Sequence, residues 1–297
     1  MLYNKETFEL KKPEFKPTLQ FFITNRCNKA CKACFYADYL HKDPTGIYDM
    51  DLYYYIERIH QYKSQGVKKI ILIGGEPTLH KDIQKMIEFN RALNLDTTIY
   101  TNGTNLEPLM DMVGPDLSIR VGVLGYSGRE KNLADIKSKY LPIMIVYMLR
   151  PDNVIQLPLA VKAAEQNHNC TGFMISTIRD LVKTGNFFTN TEDTISNAAY
   201  RQIIQHFFTG YAEHAEGIPE WHICGRTVIG SEQGWNKCRY LNFHVDGSKT
   251  ICPWDISMGI RDGEGYELCS RTCNKHSECI LQKIVLKRKA ETNYGQN

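Results

Sequence analysis

Residues 18–34 read Thr18-Leu19-Gln20-Phe21-Phe22-Ile23-Thr24-Asn25-Arg26-Cys27-Asn28-Lys29-Ala30-Cys31-Lys32-Ala33-Cys34. The first seven residues are β-rich and short, as in a strand, and they end just before Cys27. The rest is a C-x3-C-x2-C segment in a loop that follows a strand, so three thiolates can converge on one centre. Structural zinc takes four protein ligands, and a zinc here would need a His or the distant Cys170 supplied by the fold. An iron-sulfur cluster held by three thiolates instead keeps one iron open to an outside ligand. Zinc and unligated thiols are the alternatives to that reading.

Outward from this loop the chain alternates between strand and helix. Asp49 or Asp51 can cap a helix whose Leu52, Ile56, Ile59 and Tyr62 share a face, stopped by Gly66. Lys69-Ile70-Ile71-Leu72-Ile73 is a continuous apolar run suited to a strand buried on both faces, and Gly74-Gly75 ends it. Helix is expected near residues 81–93, 105–113, 130–139 and 156–168, and strand near 96–101, 117–124, 143–149 and 172–177. The expected fold is α/β, a partial (β/α)6 TIM-like barrel with its site at the strand C-terminal ends, followed by a small irregular cysteine-rich domain. The expected divisions are an N-terminal segment (1–17), a barrel (18–220, ending in a long helix over 192–215) and a second domain with a basic tail (221–297).

Composition narrows the class. A chain of 297 residues fits one large domain or a barrel with an appendage. With 42% hydrophobic and 23% charged residues it is not a disordered or low-complexity chain. The longest apolar run, over residues 143–149, is well short of the roughly 18 residues of a membrane span. Residues 1–17 lack the apolar core of a secretory signal, so a cytoplasmic location is expected. A net charge of +3 calls for no polyanionic partner. The ten cysteines then point to metal binding or catalysis rather than disulfides.

The three-cysteine segment resembles the signature of the radical S-adenosylmethionine (radical SAM) superfamily. Ile73-Gly74-Gly75-Glu76-Pro77 resembles that family's GGEP segment, and Thr101-Asn102-Gly103 its TNG segment. The resemblance implies a 4Fe-4S cluster on Cys27, Cys31 and Cys34 and a cofactor site for S-adenosylmethionine at Phe35, Gly74, Gly75, Glu76, Pro77, Thr101 and Asn102. Glu76 would face the methionine ammonium, and the glycines would let the backbone approach the ligand. The family commonly has an aromatic residue or His before the third cysteine; Ala33 stands there, and Phe35 is the candidate ring for adenine. Arg150 and Arg179 follow expected strands, where the family sometimes places an Arg against the cofactor carboxylate; a scaffold role is the ordinary reading of each.

A second cysteine group runs C-x8-G-x4-C from Cys238 to Cys252 and C-x3-C-x5-C from Cys269 to Cys279. It resembles the SPASM or twitch auxiliary domains of radical SAM enzymes, with one gap a residue longer and Lys283 in the place of a cysteine. One auxiliary 4Fe-4S cluster is implied, on Cys238, Cys252, Cys273 and Cys279, with Cys269 or Cys224 as alternates; a zinc knuckle is the competing reading. Cys224 is also a candidate hydrogen-atom donor, and a small buried thiol is its ordinary explanation.

Radical abstraction of a substrate hydrogen is therefore expected, with the auxiliary cluster assisting oxidation or cross-linking. The substrate would be a peptide or small molecule, the electron source a flavodoxin or ferredoxin, and neither membrane nor nucleic acid is an expected partner. The short stretch before Thr18 leaves no room for a separate peptide-binding domain, which weighs against a peptide. An epimerase, a sugar or nucleotide dehydrogenase and a zinc-stabilised adaptor are the alternatives.

Overall fold

A computed structural model of the chain describes residues 2–4, 9–11, 18–31, 34, 36, 40, 46–123, 141–177, 197–210, 218, 221–223, 240–247 and 249–250. The strands in chain order are β1 (Leu2–Asn4), β2 (Glu9–Lys11), β3 (Thr18–Thr24), β4 (Lys69–Gly74), β5 (Asp96–Thr101), β6 (Leu117–Val123), β7 (Ile143–Leu149), β8 (Cys170–Thr177), β9 (Trp221–Ile223), β10 (Tyr240–Phe243) and β11 (Lys249–Thr250). The helices are α1 (Leu52–Lys63), α2 (Ile83–Ala92), α3 (Leu157–Glu165) and α4 (Asn197–Gly210).

All the strands join one sheet in the order β11-β10-β3-β4-β5-β6-β7-β8-β9-β1-β2. Pairing is parallel from β10 through β9, and antiparallel only at the two edges. Strands β3 to β8 are the six expected from the sequence. They are parallel because each is followed by a crossover, and they read as apolar runs because both faces are covered. The pairings across position 220 were not expected: β9 lies beside β8, and β10 beside β3. The expected helix near 105–113 is a short 3-10 turn over Glu107–Met112 with Pro108 in its first turn; the one near 130–139 lies outside the described residues.

The register aligns one row across the sheet, Phe243–Phe21–Leu72–Ile99–Ile119–Ile143–Cys170. This row belongs to the buried core shared with Tyr55 and Ile59 of α1 and Ile83 and Ile87 of α2. Because side chains alternate along a strand, the neighbouring residues face the inside of the barrel. Asp51, not Asp49, caps α1: its carboxylate accepts the Tyr54 N–H at 2.9 Å, which satisfies a helix-end donor. Tyr55 then donates to Asn90 Oδ1 at 2.9 Å, and Asn90 Nδ2 donates to Thr97 Oγ1 at 3.1 Å, so a buried polar chain ties α1 and α2 to β5. Burial pushes the Tyr55 phenol far above its ordinary range, which keeps it a neutral donor. No helix among the described residues is long and apolar enough to cross a membrane.

Candidate functional site

The C-terminal ends of β3, β4 and β5 are adjacent, and three loops leave them together. After β3 comes the cysteine segment. Gly75 donates its N–H to Thr24 O at 2.7 Å, and Glu76 donates its N–H to Arg26 O at 2.8 Å. The segment after β4 therefore lies directly against the residues that lead into Cys27. A side chain at Gly74, whose φ is +141°, would place Cβ 2.5 Å from Thr24 O, and one at Gly75 would place it 2.1 Å from Arg26 O. Only glycine fits at these two positions. These glycines bring the segment after β4 close against the cysteine loop.

Glu76 is fully buried. Its Oε1 accepts Thr78 Oγ1 at 2.7 Å, Thr101 Oγ1 at 2.7 Å and the Thr78 N–H at 3.2 Å. Its Oε2 accepts the Asn102 N–H at 2.7 Å. A buried carboxylate is tolerated when its lone pairs are met in this way. In the structure this carboxylate locks the end of β5 to the end of β4. Pro77 is buried beside it and opens a short 3-10 turn.

The third loop closes on the first. Asn102 Nδ2 donates to Asn28 Oδ1 at 2.8 Å, and Asn28 Nδ2 donates to Thr104 Oγ1 at 2.7 Å, so Asn28, between the first two cysteines, is held by both ends of the Asn-Gly turn. Gly103 turns at φ +69° with Val121 packed against it. On the other side, Arg26 pairs with Asp49 and donates to Leu79 O at 3.0 Å. Asn28, Arg26, Asp49 and Thr104 escaped the sequence reading because each acts across a long sequence separation; only the position of Arg26 and Asn28 beside Cys27 hinted at a role.

The three thiols are partly buried and in no disulfide. Burial is the main cause that pushes the Cys27 thiol up; the Lys29 backbone N–H opposes it, the Glu76 charge adds to it, and the Lys29 charge and the Asn102 side chain oppose it more weakly. Burial and then the neighbouring Cys27 push Cys31 up. Metal coordination reverses this by binding the thiolate. Cys34 N–H donates to Cys31 O at 3.2 Å, closing a turn. Cys34 also packs beside Phe22 and Tyr36. Tyr36 anchors the loop inward, stacked on Phe22 at 5.0 Å and donating to Asn25 Oδ1 at 2.6 Å. Phe35 and Ala33 lie outside the described residues.

Among the described residues no three His, Cys, Asp or Glu side chains are gathered closely enough for a single metal ion. A cluster held by three thiolates sets wider spacing, since each sulfur takes its own iron. Three partly buried thiols on one loop, pinned at Arg26 and Asn28, are a donor set suited to that group. Cys170 does not complete a zinc site with them: it belongs to the helix-packed core on β8, and its thiol donates to Gly172 O at 3.3 Å. His80 is equally engaged, with Nε2 on Met50 O at 3.0 Å and Nδ1 accepting the Asp82 N–H at 3.1 Å. Arg150 is held by Asp152 in its own turn. Cys224, Cys238, Cys252, Cys269, Cys273, Cys279, Arg179 and the basic tail lie outside the described residues.

Residues 21–140 match the family model of the radical SAM superfamily. This segment is similar to the radical SAM superfamily. Over 101 residues this chain is 33% identical to the S-adenosylmethionine-dependent nucleotide dehydratase of Flammeovirga pacifica, covering 30% of the chain and 31% of that protein. Over 94 residues it is 36% identical to the probable GTP 3′,8-cyclase of Pyrococcus abyssi, covering 31% of the chain and 29% of that protein. The chain thus matches about a third of the length of these relatives. In fold it is similar to Streptococcus suis SuiB bound to the precursor peptide SuiA, with a TM-score of 0.67 at 15% identity over 91% of this chain and 66% of that one. The segment that matches the family model contains the cysteine loop, the Glu76 lock and the Asn102 turn together.

Proposed function

We propose that this protein is a radical SAM enzyme in which Cys27, Cys31 and Cys34 hold a 4Fe-4S cluster with one open iron and S-adenosylmethionine binds beside the Gly74–Pro77 and Thr101–Asn102 segments. The observation that carries the proposal is the stitching of the cysteine loop to both segments, through Glu76 N–H on Arg26 O and Asn102 on Asn28. When bound, these groups supply one-electron cleavage of S-adenosylmethionine to methionine and a 5′-deoxyadenosyl radical, which takes a hydrogen atom from a substrate C–H bond. The chain's own part is to fix that geometry and shield it. Arg26, Asn28 and Glu76 hold the loop, and the barrel wall below β3 to β8 receives the substrate.

The substrate in this reading is a peptide or a small metabolite. SuiB was solved with a precursor peptide, and the two relatives named act on nucleotides, so the relatives favour neither class. Cys238, Cys252, Cys273 and Cys279 complete the proposal as ligands of one auxiliary cluster, with Cys269 as alternate and Cys224 as candidate hydrogen-atom donor. Anaerobic reconstitution followed by iron analysis and assay for 5′-deoxyadenosine under dithionite tests it. About eight irons per chain indicate two clusters and about four the first alone. A protein that retains zinc and forms no 5′-deoxyadenosine defeats the proposal in favour of a zinc-stabilised adaptor. Product mass then separates dehydrogenation, with two hydrogens lost, from epimerisation, with mass unchanged and deuterium taken from solvent.

A further inference from the structure

The inner wall of the barrel carries a polar group that none of the roles above uses. Ile99, Ile119 and Val121 face the helices as part of the core, so by alternation Thr98, Tyr100, Ser118, Arg120 and Gly122 face inward. Their flanks on that face are apolar: Ile71 and Ile73 on β4, and Met144, Val146 and Met148 on β7. Arg120 pairs with Tyr100 across β5 and β6. Its Nη1 donates to Tyr100 Oη at 2.5 Å, and its guanidinium lies 5.3 Å from the centre of that ring.

Among the described residues, two atoms in this patch are buried without a hydrogen-bond partner, Arg120 Nε and Thr98 Oγ1. Thr98 is only 1% exposed. Thr98 lies opposite Ser118, diagonally next to Arg120, so both unsatisfied groups belong to one small area of wall. No carboxylate among the described residues pairs with Arg120. A guanidinium fixed by stacking, with an unused donor edge, matches the planar geometry of an oxyanion, and a buried donor left unmet is costly unless something binds it. Gly122, two residues further on the same face, is exposed, and among the described residues a Cβ there would meet only Thr101 O at 3.7 Å.

We propose that Arg120, Tyr100 and Thr98 form a station for an oxyanion group of the substrate, a carboxylate or a phosphate. The assignment to the substrate rests on the hydrogen-abstraction reading given above. S-adenosylmethionine carries a carboxylate of its own, and the experiment separates the two sources.

Calorimetric titration of the reconstituted full chain with inorganic phosphate, with acetate and with S-adenosylmethionine provides the test, repeated on Arg120→Gln and on Thr98→Val, which keeps the side-chain shape. The expected result is saturable binding of phosphate or acetate that weakens about tenfold in Arg120→Gln and several-fold in Thr98→Val, with affinity for S-adenosylmethionine within about twofold of wild type. Binding of both anions that is unchanged in the two variants overturns the station. A loss of affinity for S-adenosylmethionine that matches the loss for the anions overturns the assignment to substrate. The titration needs no turnover, so the two proposals fail separately: anion binding at Arg120 without formation of 5′-deoxyadenosine sinks the radical reading alone, and formation without anion binding sinks the station alone.

Discussion

Asn102 donates its backbone N–H to Glu76 Oε2 at 2.7 Å while its side chain donates to Asn28 Oδ1 at 2.8 Å. One turn residue thus joins the end of β4, the end of β5 and the cysteine loop, and the site is a single hydrogen-bonded unit rather than three independent motifs.

Glu76→Gln tests that unit. The amide cannot accept all four bonds made by the buried carboxylate, and a lost charge-assisted hydrogen bond in such a place costs about 2 kcal/mol. The expected outcome is a lower melting temperature by circular dichroism and at least tenfold weaker binding of S-adenosylmethionine. Unchanged stability would show that the buried network adds nothing.

Asn28→Ala acts on the loop alone. Asn28 is exposed and lies outside the core, so overall stability should change by less than about 1 kcal/mol. Iron retention after reconstitution should nevertheless fall, read as iron per chain after desalting, because the loop loses its ties to Asn102 and Thr104.

The glycines separate steric clash from backbone strain. Gly75→Ala puts a methyl 2.1 Å from Arg26 O, against backbone that cannot move without shifting the cysteine loop. Gly66→Ala meets nothing within 4 Å among the described residues, and its effect is set by its φ of +87°. Chemical denaturation should show a loss of about 1 kcal/mol for Gly66→Ala and a much larger one, with loss of iron, for Gly75→Ala.

His80 gives the pH dependence a sign. Burial holds its imidazole below the ordinary value of 6.5, and both ring nitrogens are committed in the neutral form. The unfolded chain therefore binds the proton more readily. The stability His80 contributes is fully present above about pH 6.5 and is lost as pH falls through the lower folded value. Melting temperatures of wild type should decline from pH 7 to pH 5, and the decline should be shallower in His80→Gln.

Much of the sheet was readable because parallel strands covered on both faces are continuous apolar runs, as at residues 69–73 and 143–149. The three motifs were readable because their residue types are unusual together. Their mutual contacts were not: the partners of Glu76 are Thr78, Thr101 and Asn102, ordinary polar residues whose meaning comes from strand adjacency. Tyr55 is not among the residues read on the face of Leu52, Ile56, Ile59 and Tyr62, although it lies on that face between Ile59 and Tyr62; it is fully buried, and Asn90 gives its hydroxyl a partner inside the core. Strands β9 and β10 have 3 and 4 residues, too short for periodicity to register, and their pairing with β8 and β3 comes from the existing sheet edges.

The central claim is that three thiolates leave one iron open to S-adenosylmethionine. Electron paramagnetic resonance of the reduced, reconstituted protein measures it directly, with and without S-adenosylmethionine. The reduced protein is expected to show a cluster signal whose shape changes on adding S-adenosylmethionine and which disappears in Cys27→Ala. A residual signal indifferent to S-adenosylmethionine belongs to the proposed auxiliary cluster. A reduced protein in which no part of the signal responds to S-adenosylmethionine, or in which the responsive part survives replacement of Cys27, Cys31 and Cys34 together, would contradict the claim.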